Sequence, residues 1–411
     1  MINLLNKCSK YIYGLFPAFL IHLGLGNIYS VSQITNKIAL DSRVDESHVH
    51  LVFVVMLIVM GISSAISGKI LKIGLKYSIF LSILLFVTGT FMTSLGLIMN
   101  VFHPVVIGYG IISAIGLGFL YLIPIRNVMK WFPNHEGLAV GFTILGFGLS
   151  GMVSSSILSL DYDNNAYVLV LKVLLTSIIP MILGFILIRK PDPNEKYEYE
   201  SFTDSVKKMI VLSSSRNFKL IWFLFLFKLS VGLMMMYNLF LILNYDILKF
   251  DYSSIIEIIY LVFASNCLGR IVIPFIVDNI PEGKKLYINY VIFGIPLMSL
   301  IATYLYHEWS ILPIVLCIVL FMYGGGISCI PTVLSESYVF VKGKNISVVQ
   351  GMMFTSWCVA GLIGAGLGKL ILEYLGIVAL LSYASIICIV GLMLSIKLVY
   401  NLKSEGRYEL S

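Results

Sequence analysis

A few charged side chains lie inside long apolar runs of this chain, and Arg270 has the clearest chemistry among them. It lies in the run ASNCLGRIVIP at residues 264–274. A guanidinium keeps its charge at every physiological pH, and holding it inside a bilayer is costly unless it has a partner. Because guanidinium binds carboxylate through two charge-assisted hydrogen bonds, Arg270 favours an anionic substrate. The alternative is a structural arginine that bonds helix carbonyls or an internal acid.

Lys228 is a second candidate cation. It lies nine residues after Lys219, and Arg270 lies eight residues before Asp278. At 1.5 Å per helical residue, both lie roughly 12–14 Å from the cytosolic edge of the membrane. Two cations at similar depth in neighbouring helices could share one carboxylate. Alternatively, Lys228 extends to the cytosolic surface or pairs with Glu257.

Two further residues are candidates for carrying a proton. His22 lies near the middle of the first apolar run, and Glu257 lies nearer the outer end of the eighth. Histidine can change charge near neutral pH, although a buried histidine is more often a neutral hydrogen-bonding group. We therefore keep proton coupling and plain structure as alternatives for His22.

Sequence motifs for catalysis, nucleotide binding and metal binding are absent from the chain. There is no Gly-x-x-x-x-Gly-Lys-Ser/Thr loop, no His-Glu-x-x-His and no paired Cys-x-x-Cys. The six histidines are scattered, which argues against a membrane enzyme such as an acyltransferase or a glycosyltransferase. We therefore expect no cofactor, no metal, no nucleotide and no nucleic acid, and an energy source that is a solute gradient rather than ATP.

Composition determines what kind of element must hold these residues. The chain has 411 residues, of which 59% are hydrophobic and 12% are charged, against about 25% charged residues in soluble domains. Runs of about 20 apolar residues span a bilayer as helices. We predict an all-α membrane protein whose twelve transmembrane helices form two six-helix bundles. The predicted spans are 11–33, 49–70, 77–99, 104–130, 136–159, 166–188, 219–244, 253–276, 286–305, 309–333, 346–371 and 376–400.

The loops give the predicted topology. Most lysines and arginines between spans fall on one side of this map, which the positive-inside rule assigns to the cytosol together with both termini. The longest polar segment, 189–218, predicts a cytosolic linker between an N-terminal bundle at 1–188 and a C-terminal bundle at 219–411. The membrane itself, plasma or organellar, stays open.

Three segments resemble a known family. They are 116–151, which contains GLGFLYLIP, KWFP and GLAVG; Tyr323-Gly324-Gly325-Gly326 followed by Pro331; and Asn266-Cys267-Leu268-Gly269-Arg270 ending at Asp278. In this order they resemble the oxalate/formate antiporter and monocarboxylate transporter branch of the major facilitator superfamily. The resemblance implies secondary transport by alternating access around a site at the interface of two bundles.

The resemblance also implies roles for individual residues. Arg270 corresponds to an arginine that pairs with substrate carboxylate, and Asn266 lies one turn before it. Four aromatic residues fall in motifs of the helices that line the cavity of the superfamily: Tyr29, Tyr121, Tyr323 and Trp357. The loop residues Lys72, Gly74 and Lys76, with Asp278 in the second half, correspond to gating positions.

The chain departs from the branch at several of these positions. Asn266 stands where proton-coupled relatives have an Asp, and Gln33 stands where they have a lysine. The oxalate antiporter's lysine in helix eleven has no counterpart in Thr355-Ser356-Trp357-Cys358. Leu71 stands where the gating loop usually has an Asp.

The prediction is a secondary transporter of a small organic anion, a monocarboxylate of the lactate, pyruvate or formate type. It works either coupled to protons or as an exchanger. A carrier for another solute, such as a drug or an amino acid, is the first alternative. A non-transporting sensor on the same fold is the second. The expected partners are the organic anion, the lipid bilayer and, for a coupled carrier, protons.

Overall fold

The computed structural model describes residues 8–27, 31–160, 164–192, 194, 210, 213–245, 250–306, 309–338 and 346–404. Throughout this part of the chain the regular structure is helical, and no strand occurs in it. Tyr29 lies outside the described residues, as does most of the predicted linker.

The described apolar helices follow the predicted order along the chain. We number them α1 to α12, and short helices at Val31–Ser42, Leu239–Leu243 and Ile330–Tyr338 lie between them. The first nine after α1 (11–25) are α2 Glu46–Ile70, α3 Leu75–Ile98, α4 His103–Trp131, α5 Glu136–Leu160, α6 Ala166–Leu187, α7 Arg216–Tyr237, α8 Tyr252–Asp278, α9 Ile288–Tyr306 and α10 Leu312–Ser328. The last helical run is broken at Gly376, whose φ of 83° separates α11 (346–375) from α12 (377–404).

Ten helices within the described ranges are long and apolar enough to cross a membrane. One of these is the run Gly351–Ser404, which comprises most of α11 together with α12, and α1 precedes all ten as a further apolar helix. The predicted all-α membrane architecture with twelve apolar helices is therefore confirmed.

The chain divides into two compact units. Unit 1 comprises Met1–Ser201 together with Gln350–Cys358 of α11, and unit 2 comprises Phe202–Val349 and Val359–Ser411. The bundle boundaries at 188 and 218 stay predictions.

Glycines allow helices within each unit to approach closely. In unit 1, a Cβ on Gly118 of α4 would lie 2.7 Å from Ser63 Cβ of α2, and Ser64 Oγ donates to the Gly118 carbonyl at 2.9 Å. In unit 2, a Cβ on Gly325 of α10 would lie 2.5 Å from Ile273 Cβ of α8. Any larger side chain at Gly118 or Gly325 would force the helix pair apart, because real Cβ atoms do not approach other atoms so closely.

Candidate functional site

Arg270 is oriented by the amide one turn before it. Both side chains are completely buried in α8. Arg270 Nε donates to Asn266 Oδ1 at 2.9 Å, and Asn266 Nδ2 donates to the Leu320 carbonyl of α10 at 3.0 Å. Because the amide bonds both the guanidinium and the neighbouring helix, it ties the position of the charge to α10.

The glycine run of α10 makes room for this arrangement. A Cβ on Gly324 would overlap the Asn266 carbonyl oxygen and lie 3.2 Å from Arg270 Cγ. A Cβ on Gly269 of α8 would overlap the Phe321 carbonyl of α10. The missing side chains at these two glycines let α8 and α10 pack backbone against backbone beside the charge.

Lys228 is buried in the interior of unit 2. Its side chain is 4% exposed, and no described residue accepts a hydrogen bond from its Nζ atom. The ammonium lies 5.1 Å from the centre of the Phe225 ring. It therefore does not reach the surface by extending along the helix, and Glu257, the alternative partner, is itself exposed.

A small cavity adjoins Lys228. Its volume is about 20 Å³, enough for about one water molecule. The lining comes from α7, α9, α10 and α12: Lys228, Val231, Gly232, Ile292, Phe293, Pro296, Val319, Tyr323 and Cys388. Tyr323 packs its ring directly against the Cα of Gly232, where a Cβ would overlap it.

The two cations lie on different sides of α10. Arg270 Cγ lies against Gly324, whereas Lys228 Cδ lies 3.2 Å from where a Cβ of Gly326 would be. Two residues along a helix correspond to a rise of about 3 Å and a rotation of about 200°. The two side chains thus contact nearly opposite faces of α10, and the predicted similar depth of their charges stays a prediction. Sharing of one carboxylate by the two cations stays a prediction, and these contacts with opposite faces of α10 do not favour it.

Unit 1 contains a buried aromatic cluster of His22, Tyr121, Phe147, Phe354 and Trp357. The Tyr121 ring lies 5.3 Å from His22, 5.5 Å from Phe147, 5.2 Å from Phe354 and 5.1 Å from Trp357. His22 Nδ1 is hydrogen-bonded to the Ala18 carbonyl at 2.9 Å. Two of the predicted cavity residues, Tyr121 and Trp357, are therefore neighbours.

Phe147 and Phe354 complete this cluster, although no sequence motif distinguishes their side chains. Phe147 lies inside the quoted glycine motif of α5, and Phe354 lies one turn before Trp357. Both are apolar residues in apolar helices, so only their packing against Tyr121 in the folded unit identifies them as members of the cluster. Trp357 Nε1 is buried, and no described residue accepts a hydrogen bond from it.

The predicted gating residues lie at helix ends. Gly74 has a φ of 101° in the turn between α2 and α3, a conformation that suits glycine. Lys72 is exposed, and Lys76 Nζ donates to the Ile186 carbonyl at 3.2 Å. In unit 2, Asp278 accepts a hydrogen bond from Thr332 Oγ1 at 3.2 Å.

A second contact lies near the end of α8. The Gly283 amide donates to the Glu336 carboxylate, which belongs to the short helix Ile330–Tyr338. Glu336 is half-buried, and desolvation raises the pKa of its carboxyl group despite that hydrogen bond. Thr332 and Glu336, which no sequence motif marks, thus join this short helix to the end of α8 and the loop that follows it.

The buried charges of the described chain are all positive. The buried set includes Arg126, Lys228, Arg270 and Lys369, and it contains no Asp or Glu. Lys369 forms an ion pair with Glu373 at 3.3 Å, and Glu373 is half-exposed. Among the described residues no group of three His, Cys, Asp or Glu side chains could hold a metal ion. The interior favours an anion over a cation.

Comparisons with known proteins agree with this architecture. The family model of the Major Facilitator Superfamily matches residues 12–365. YhjX of Escherichia coli (strain K12), an uncharacterized MFS-type transporter, is 22% identical over 363 residues, covering 87% of this chain and 85% of its own.

Two solved structures share the fold. The human organic anion transporter MFSD10 (TETRAN) aligns with a TM-score of 0.73 at 13% identity, over 95% of this chain and 99% of its own. The proton:xylose symporter XylE, bound to 6-bromo-6-deoxy-D-glucose, aligns with a TM-score of 0.73 at 13% identity, over 96% of each chain. At this level of identity the likeness establishes the fold alone.

Proposed function

Because the chain belongs to the major facilitator superfamily, we propose that it is a secondary carrier of a small organic anion, specifically a monocarboxylate of the size of lactate, pyruvate or formate. As an integral multi-pass membrane protein and a transporter rather than an enzyme, it moves its substrate chemically unchanged. The oxalate/formate and monocarboxylate branch is part of this proposal, as is the cytosolic location of both termini.

One observation carries the proposal: the described interior holds buried cations and no buried carboxylate. Arg270 is permanently charged, and its neighbour Asn266 accepts a hydrogen bond without contributing a negative charge. A buried guanidinium attracts an anion strongly, because little water screens its charge. A substrate carboxylate binds a guanidinium through a bidentate contact.

The position of Lys228 supports a substrate with one carboxylate. Lys228 and Arg270 contact nearly opposite faces of α10, so the face that holds Arg270 does not also hold Lys228. A dianion would need a second cation on the same face.

The fold neighbours alone do not choose the substrate. One is described as an organic anion transporter and the other as a proton:xylose symporter. The fold is thus compatible with an anion and with a neutral sugar, and the choice of an anion rests on the buried charges of this chain.

The test is counterflow exchange in proteoliposomes with labelled lactate, pyruvate and formate. We expect exchange of at least one of them, and a loss of about 100-fold or more in Arg270→Gln, since two charge-assisted hydrogen bonds contribute about 3 kcal/mol or more. Arg216→Gln is the matched control, because Arg216 is exposed at the start of α7. Exchange that persists unchanged in Arg270→Gln would refute Arg270 as the carboxylate-binding residue.

The aromatic cluster of unit 1 favours a second candidate, a carrier for an aromatic solute such as a drug or an aromatic amino acid. Its rings offer apolar surface, and buried Trp357 Nε1 offers a hydrogen-bond donor. Labelled phenylalanine and tryptophan in the same exchange assay test this candidate. It is favoured over the anion if they exchange, if Arg270→Gln leaves that exchange unchanged and if no carboxylate from the panel exchanges.

A further inference from the structure

Lys228 is a buried amine for which the proposed function has no use. Its Nζ atom has no hydrogen-bond acceptor among the described residues, and its side chain borders a cavity that holds about one water molecule. An ammonium in such a place is costly unless an anion compensates its charge. A lysine is able to lose its proton, whereas an arginine at the same place would stay charged.

The groups that line the cavity beside Lys228 do not provide that compensating charge, and Asp278 at the end of α8, which acts on Cys329, is not among them. α10 contributes Tyr323, and Cys329 just beyond its end interacts electrostatically with Lys228. α12 contributes Cys388, and α9 contributes only apolar residues. α11 packs Gly364 against Ser230 of α7, and the nearest ring on α7 itself is that of Phe225. Every one of these described neighbours is neutral in its ordinary form.

α10 connects Lys228 to the site of Arg270. Gly324 contacts Asn266 and Arg270, and Gly326, two residues later, contacts Lys228. The contacts of the two side chains thus lie on opposite sides of α10, a helix about 10 Å wide. A charge that arrives at Arg270 acts on Lys228 through the buried interior of unit 2, where screening by salt is weak.

We propose that Lys228 is the proton-binding group of this carrier, and this rests on the proposed function. The amine of Lys228 takes one proton from water on the side where the carboxylate enters. The ammonium returns this proton to water on the side where the carboxylate leaves. One monocarboxylate and one proton thus cross together, and the transported pair carries no net charge.

Lys228→Met tests the proposal, because methionine keeps a long unbranched side chain and cannot bind a proton. Counterflow exchange at equal pH needs no net proton movement, so at saturating substrate the variant should keep a measurable exchange rate, although its apparent affinity for the carboxylate should fall because protonation and substrate binding favour each other. Accumulation driven by an acidic exterior should fall at least about tenfold, to the level seen without a gradient. The probe is whichever of labelled lactate, pyruvate or formate the unmodified protein exchanges.

Lys397→Met is the matched control, since Lys397 is an exposed lysine of α12. It should keep both exchange and gradient-driven accumulation. A second measurement uses purified protein in weakly buffered detergent solution with a pH indicator. Adding the exchanged carboxylate should cause uptake of about one proton per carrier in the unmodified protein, and none in Lys228→Met or Lys228→Gln.

The outcomes separate the two proposals. If the unmodified protein exchanges none of the three carboxylates, the proposed function fails, and the role of Lys228 fails with it. If exchange is present but Lys228→Met still accumulates substrate in a pH gradient, only the role of Lys228 is refuted. Proton uptake that persists in both Lys228 variants refutes it independently of transport and of any loss of activity through misfolding.

Discussion

Asn266→Asp places a negative charge beside Arg270 with almost no change in shape. The present amide lies 2.9 Å from Arg270 Nε and makes a second bond to the Leu320 carbonyl. The substitution keeps the acceptor for Nε, removes the donor to Leu320 and adds an internal counter-ion. If Arg270 binds substrate carboxylate, the new charge competes with the substrate for the same guanidinium.

The size of this competition follows from the geometry. The introduced carboxylate lies about 4 Å from the centre of the guanidinium, and a bound substrate carboxylate lies about as far on another edge. The two anions are then about 8 Å apart. At an effective dielectric constant of about 20 they repel by about 2 kcal/mol, which is about a 30-fold loss of affinity.

The loss should depend on pH in one direction. A protonated carboxyl group carries no charge, so the repulsion disappears as the introduced group takes up a proton. Substrate binding and protonation of that group therefore favour each other. The apparent affinity of Asn266→Asp should be weakest at pH 7.5, and its recovery at pH 5.5 should be only partial, because the adjacent guanidinium favours the ionised carboxylate.

The assay is the concentration dependence of counterflow exchange at these two pH values. Asn238→Asp is the matched control, because Asn238 is equally buried in unit 2 and its Nδ2 donates to the Met234 carbonyl at 2.9 Å. This variant also introduces a buried carboxylate and removes a hydrogen-bond donor, but it does so away from Arg270. An apparent affinity for Asn266→Asp that equals that of the unmodified protein at both pH values would show that substrate does not bind at Arg270.

Three further predictions follow from packing and protonation. Gly324→Ala should destabilise the protein by about 1–3 kcal/mol in thermal unfolding, because its Cβ would overlap α8. Gly294→Ala is the control, because the nearest atom to its added Cβ would be 4.0 Å away. It should be neutral or stabilise by up to about 1 kcal/mol. An equal loss of stability in both variants would show that close packing against α8 is not the cause. Trp357→Phe should leave thermal stability within about 1 kcal/mol, since no described residue accepts from Nε1, whereas substrate affinity should fall about fivefold if Nε1 donates to substrate. Burial raises the pKa of the Glu336 carboxyl group in the folded protein. Its protonated form therefore contributes to the free energy of unfolding below the unfolded pKa, and this contribution is lost as pH rises through the folded pKa. Glutamine cannot ionise, so the thermal unfolding midpoint of Glu336→Gln should rise relative to that of the unmodified protein between pH 4 and pH 7. A difference between the two midpoints that does not change with pH would contradict a raised pKa of Glu336.

Much of the fold was predictable, because hydropathy decides which segments enter a bilayer. The twelve apolar runs correspond to the apolar helices α1 to α12. The break between the last two helices occurs at Gly376, within the first residues of the predicted twelfth span. The superfamily was also predictable, since its motifs lie in short contiguous stretches such as 116–151. The branch and the substrate stay predictions.

The neighbourhood of each candidate residue was harder to predict. Asn266 and Arg270 are one turn apart on α8, so their contact follows from helical spacing. The bond from Asn266 to Leu320 joins residues 54 positions apart, and no local spacing indicates it. The contacts of Phe354 and Trp357 with Tyr121 cross an even longer separation, which only the packed unit defines.

The sequence by itself determined the membrane class and the order of the helices, because hydropathy is a property of single segments. Only the tertiary structure decided that Arg270 and Lys228 face different sides of α10. The rotation of a helix about its own axis is set by the helices that pack against it. That rotation brings the Arg270 and Lys228 side chains against different faces of α10, and the two proposals rest on this difference.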